Sequence, residues 1–113
     1  MQIINPFPIR LKEARDRLGI SQRELGVRIG IEPGAASSRM NHYEKGRHMP
    51  DFATLKRIAE ELNVPVAYLF CESDDMAEMI KAFDKLTAED KLRAIELIRN
   101  VSPDIDTWCI GQV

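Results

Sequence analysis

The stretch that decides the fold runs from Ser21 to Gly46, SQRELGVRIGIEPGAASSRMNHYEKG. It opens with Ser21-Gln22-Arg23-Glu24, the spacing of a capping box. The Ser21 hydroxyl can bond the amide of Glu24, and the Glu24 carboxylate can reach back. Leu25 and Ile29 follow as a short apolar stripe, and Gly30 ends that helix. Pro33, a favoured first-turn residue, opens a second helix that continues to Tyr43–Glu44, with Gly46 closing it. Ala36, Met40 and Tyr43 recur at i, i+4 and i+7 and are expected to face inward. Ser38, Asn41, His42 and Lys45 project from the other side, with Ser37 and Arg39 at the boundary. Two helices joined by a tight turn need a small residue where they cross. Gly26 meets that need, which explains a residue that otherwise costs about 0.5–1 kcal/mol inside a helix.

Upstream, Pro6 and Pro8 suggest an extended lead-in to a helix from Ile9 to Leu18. Leu11, Ala14 and Leu18 share a face, and Gly19 supplies a left-handed cap. Downstream, Asp51 can cap a helix whose core face reads Phe52, Leu55, Ile58, Ala59 and Leu62. Pro65 starts a short fifth helix through Val66, Tyr68, Leu69 and Phe70. After a link at 71–73, two amphipathic helices follow. One runs from about Asp75 to Lys85, with Met76, Met79, Ile80 and Phe83 on one side. The other is capped by Thr87, lined by Leu92, Ile95 and Ile98, and stopped by Pro103. Residues 102–113 read as an irregular tail carrying Trp108, Ile110 and Val113. The expected architecture is all-α. Residues 1–72 form a five-helix domain, and residues 73–113 form a C-terminal helical extension and tail.

The chain has 113 residues, 44% hydrophobic and 30% charged, which suits a soluble domain with a real core. No apolar run approaches the roughly 20 residues of a membrane span. The first residues lack a signal-peptide pattern, so a cytoplasmic protein is expected. The net charge is −2, but its distribution matters more than its sum. Residues 1–70 carry eleven Lys and Arg against eight Asp and Glu, a net +3; residues 71–113 carry a net −5. A mildly basic front suits an anionic partner, and the acidic back suits a tail that points away from it. Cys71 and Cys109 form no C-x-x-C pair, and reduced thiols are expected. His42 and His48 make no metal pattern with them, so neither metal nor cofactor is expected. No Gly-rich phosphate loop, H-E-x-x-H or nucleophile elbow is present. Ser38 and His42 are i, i+4 neighbours, but no third residue orients the histidine. A non-enzymatic protein is expected.

Taken in order, Arg15, Gly19, Ser21-Gln22, Leu25-Gly26, Gly30, Tyr43-Glu44-Lys45-Gly46, Pro50, Leu55, Ala59 and Leu69 resemble the Cro and lambda-repressor-like (XRE-type) helix-turn-helix family. The resemblance covers roughly residues 9–70. It implies a lambda-repressor-like domain that binds double-stranded DNA and reads the major groove with the helix at 33–44. There is one departure. Eleven residues separate Ile31 from Tyr43, about four more than in typical members. Four residues equal about one helical turn, so an added turn near Glu32–Ala35 is expected, with the Met40/Tyr43 anchoring intact.

Small residues at the start of that helix can sit close to base edges. By position, Ser37, Ser38, Arg39 and His42 resemble the family's base-reading residues, and Asn41 can pair with adenine. Arg39 can contact guanine; a phosphate clamp or an intramolecular salt bridge are the alternatives. His42 has a surface or phosphate role as its alternative. Phosphate contacts are expected from Gln22 and Arg23 at the start of the first helix of the pair. Lys45, Arg47 and His48 follow the reading helix and can reach the opposite strand, with a solvated charge as the alternative for Arg47. Arg15 and Glu44 resemble a partly buried ion pair that orients the reading helix.

The C-terminal helices must bury their apolar faces, either on the domain itself or against a second copy. Dimers of such binders place two reading helices roughly 34 Å apart, and a homodimer through 74–113 is expected. The resemblance implies a transcriptional regulator, a repressor rather than an activator; no separate sensor domain reads in the sequence, so regulation by a small ligand is not expected. Two other readings stand beside this one. One is an antitoxin whose acidic back binds a toxin, and the other is a protein-interaction module that keeps the fold without DNA binding.

Overall fold

Proline sets where the chain first becomes helical. The structure is a computed structural model that describes residues 4–102. Helix α1 spans Phe7–Leu18, with Pro6 at its N-cap and Pro8 in its first turn. It therefore begins two residues before Ile9, where an extended lead-in was expected. Proline costs little there, because first-turn amides have no intrahelical acceptor. The gain is Phe7, which is fully buried, while Ile9 is exposed.

Helix α2 spans Gln22–Arg28 and α3 spans Pro33–Glu44. The Ser21 hydroxyl accepts from the Glu24 amide at 2.9 Å, as the capping box requires. The Glu24 carboxylate does not reach back; it pairs with Arg28 one turn on, at 2.9 Å. Gly30 turns the chain with a φ of 96°. Its amide donates to Val27 O, and the Ile31 amide donates to Gly26 O, which satisfies the carbonyls that α2 would leave open. The close crossing expected at Gly26 is present. A Cβ there would lie 2.7 Å from Ala36 Cβ.

Helix α4 spans Phe52–Leu62, capped by Asp51 on the Thr54 amide. A 3₁₀ helix, Val66–Phe70, stands where a short fifth helix was expected. Leu11, Leu25, Met40, Ile58, Leu62 and Leu69 from these elements are fully buried and meet in one core. Two residues expected in that core are not. Phe52 is 66% exposed, because it sits in the first turn of α4 at the edge of the apolar stripe. Leu18 is 43% exposed, because the last turn of α1 runs past the elements that cover Leu11 and Ala14.

Helix α5 spans Asp74–Asp84 and α6 spans Ala88–Val101, the latter capped by Thr87 on the Asp90 amide. The described residues are thus helical throughout, with no strand. The chain divides into two compact units, Met1–Lys81 and Ala82–Val113. The first part of α5 is bound into the first unit. Arg10 is buried there; its Nε donates to Cys71 O at 2.9 Å, and its Nη1 donates to both Glu13 and Asp74 at 3.0 Å. Ala77 is buried, and Lys81 stands over the Tyr68 ring at 5.4 Å. In the second unit, Lys91 stands over the Phe83 ring at 5.6 Å. Leu92, Leu97 and Val101 are exposed. The expected Pro103 stop, Trp108, Cys109, Ile110 and Val113 lie outside the described residues. No helix among the described residues is long and apolar enough to cross a membrane.

Candidate functional site

Helix α3 carries its apolar residues on one edge only. Ala36 and Met40 are fully buried and Tyr43 nearly so, while Ser37, Ser38 and Arg39 are exposed. At about 100° per residue, Gly34, Ser38, Asn41 and Lys45 fall opposite the buried edge. Helix α3 is one unbroken helix of 12 residues from Pro33, with Glu32 at its N-cap. Gly34 leaves the first turn bare, since a Cβ there would meet nothing within 4 Å.

The C-terminal end of α3 is held by two sets of bonds. The first is the backbone turn at Gly46, whose amide donates to Tyr43 O while the Arg47 amide donates to His42 O. The second is the expected ion pair. Arg15 donates to Glu44 through Nε at 2.6 Å and Nη2 at 3.1 Å. The Glu44 side chain is 3% exposed and that of Arg15 is 12% exposed. Arg15 Nη1 also donates to Ile20 O at 2.8 Å, so one guanidinium joins α1, the loop before α2, and the end of α3. The hydrogen bonds to Glu44 raise the Arg15 pKa above even its ordinary high value.

Gln22 extends this network. Its side-chain amide donates to Glu44 Oε1 at 3.0 Å and to Asn41 Oδ1 at 3.3 Å. A carboxylate only accepts, so the amide nitrogen must point inward. The Gln22 side chain expected on phosphate is therefore committed to holding Asn41. Asn41 is half-buried and keeps its own amide hydrogens for a partner. Arg23 is exposed, as are Lys45, Arg47 and His48, and His42 is half-buried. The His42 and His48 rings are tilted with centroids 5.0 Å apart, at the end of α3 where Lys45 and Arg47 follow in sequence. The network thus brings together Asn41, Gln22, Glu44 and Arg15, while Arg39 lies on the other flank, beside α4.

Two residues here were not singled out from the sequence. Arg10 has partners 61 and 64 positions away, so no local signal marks it. Arg57 lines the same cavity as Arg39, and only the packing of α4 against α3 brings the two together. Among the described residues, no three His, Cys, Asp or Glu side chains are grouped to hold a metal.

The profile of the helix-turn-helix domain family matches residues 9–74. An uncharacterized HTH-type transcriptional regulator of Sinorhizobium medicae (strain WSM419) is 36% identical over 70 residues, covering 58% of this chain and 48% of its own length. The vegetative-specific protein H7 of Dictyostelium discoideum is 36% identical over 62 residues, covering 54% of this chain and 56% of its own length. The chain therefore spans about half the length of these curated relatives. The crystal structure of the transcriptional regulator BswR is similar with a TM-score of 0.78 and 42% identity, covering 83% of this chain and 93% of that one.

Proposed function

The chain belongs to the helix-turn-helix domain family, its profile covering residues 9–74, and on that premise we propose that it is a sequence-specific, double-stranded-DNA-binding transcriptional regulator. The observation that carries the reading is the two-sided character of α3: Ala36, Met40 and Tyr43 anchor it while Ser37 and Ser38 stand free on the other side. Ser37, Ser38, Asn41 and His42 address base edges in the major groove. Small hydroxyls near the start of α3 let the backbone approach closely, and an asparagine amide can pair with adenine. The network from Arg15 through Glu44 and Gln22 holds the Asn41 amide in place before DNA arrives. Arg23, Lys45, Arg47 and His48 supply backbone contacts that position the domain without reading sequence. Occupying a site blocks it, and repression is the regulatory outcome of this reading.

A second copy completes the binding unit. Leu92 and Leu97 line an exposed groove of about 360 Å³ on α6, together with Arg93 and Glu96. Arg93 and Glu96 pair within their own helix with Asp90 and Arg99, which leaves the apolar strip itself to make a two-fold contact. Two reading helices then enter successive major grooves on one face of the duplex.

Selection of bound duplexes from a random-sequence library tests the reading. It predicts one enriched site built of two related halves. Recovery of a library without enrichment, at a salt concentration where binding persists, overturns it.

A further inference from the structure

The flank of α3 beside α4 is concave. Glu32, Arg39 and Tyr43 line a cavity of about 260 Å³ whose other wall carries Thr54 and Arg57 of α4. Arg39 and Arg57 are both exposed and make no hydrogen bond or ion pair among the described residues. Asp51 is the acidic neighbour that feels the Arg57 charge, and its carboxylate is committed to capping α4. Two guanidinium groups on one cavity repel each other unless an anion lies between them. Tyr43 is over nine-tenths buried, and its hydroxyl has no partner among the described residues. The sealed, unpaired oxygen of this unit is that of Tyr68; the Tyr43 hydroxyl is not sealed, and Tyr43 lines the cavity.

The geometry points to a phosphodiester site between α3 and α4, in which Arg39 and Arg57 grip one backbone phosphate of the duplex and Tyr43 offers a neutral hydroxyl donor. A guanidinium fork matches the two free oxygens of a phosphate. Glu32 reduces the charge of the two arginines to a net +1. That matches the single charge of a diester better than the double charge of a terminal phosphate. The site assigns Arg39 to the backbone, the alternative left open by the sequence, and it adds Arg57, which no local pattern marks. It rests on the duplex-binding reading and deepens it by naming how the α4 side of the reading helix is fixed.

The test has two arms. In the first, binding of the full chain to a short fluorescent duplex of mixed sequence is followed by anisotropy across a salt series. If both arginines share one phosphate, Arg39→Ala and Arg57→Ala each weaken binding to every duplex but change the logarithmic salt slope by well under one. The double variant then lowers the slope by about 0.9, the loss of a single neutralised phosphate. Glu32→Gln tightens binding at low salt. Slope losses of about one for each single variant and two for the pair overturn the shared site, and so does an unchanged slope in the double variant. The second arm needs no duplex: dimethyl phosphate is added to the labelled protein while the arginine Nε–H resonances are followed. Shifts of both Arg39 and Arg57, with loss of the Arg39 shift in Arg57→Ala, support the site even if no duplex binds, so the two readings can fail separately. Absence of any shift at either arginine overturns it.

Discussion

Replacing Gly26 with alanine sets two known effects against each other. Alanine gains about 0.5–1 kcal/mol in a helix interior. The new Cβ, however, would sit 2.7 Å from Ala36 Cβ and 3.0 Å from both Ala36 Cα and O. Two of those neighbours are backbone, so no rotamer change relieves the overlap and α2 must move away from α3. Overpacking of this kind costs about 1–3 kcal/mol. The expected net loss is therefore about 0–2.5 kcal/mol, a drop of up to roughly 15 °C in Tm for a domain of this size. Thermal unfolding followed by circular dichroism reads it. Ala36→Gly removes the nearest overlap, so in the Gly26→Ala background it should cost about 1–2 kcal/mol less than in the wild type. The 3.0 Å backbone approach remains, so rescue is partial. A Gly26→Ala protein that melts higher than the wild type, by the amount helix propensity alone provides, would refute the claim that this glycine exists for the crossing.

Glu44→Ala leaves the Arg15 guanidinium and the Gln22 amide without their shared acceptor. Breaking one side of such a pair costs about 3 kcal/mol, readable in urea unfolding, and the Asn41 side chain loses its support. Asp51 is held below the usual aspartate range, chiefly by the Thr54 backbone amide. Its contribution is thus complete above that range and lost as pH falls through the lowered value. Asn caps as well as Asp, so Asp51→Asn should keep the fold at neutral pH yet show a shallower fall in Tm on acidification. Leu92→Asp with Leu97→Asp puts charge on an exposed apolar strip; the proposed pairing predicts that light scattering on the full chain reports a dimer for the wild type and a monomer for this variant.

What could be read from the sequence was whatever depends on neighbours a few residues apart. Ser21, Asp51 and Thr87 each cap the helix that follows, because a cap is a bond across three residues. The Met40/Tyr43 edge of α3 follows from periodicity alone. The ion pair of Arg15 with Glu44 came from family resemblance; it joins residues 29 apart, beyond the reach of any local pattern. Phe7 was hidden by its flanking prolines, which read as breakers although both sit where a helix tolerates them. Arg10 carries no local signal of its burial, because two of its acceptors lie 61 and 64 positions away. The inward turn of Gln22 depends on a spare oxygen of Glu44, and the nearness of Arg39 to Arg57 depends on how α4 docks. Both are properties of packing, with no signature in either segment.

The most direct test of the central claim is to add the duplex enriched from the random library to isotope-labelled protein and map the backbone amide shifts. The account predicts changes centred on Ser37, Ser38, Asn41 and Lys45, with the core at Ile58 and Leu62 undisturbed. Changes confined to α5 and α6, with α3 silent, would contradict it.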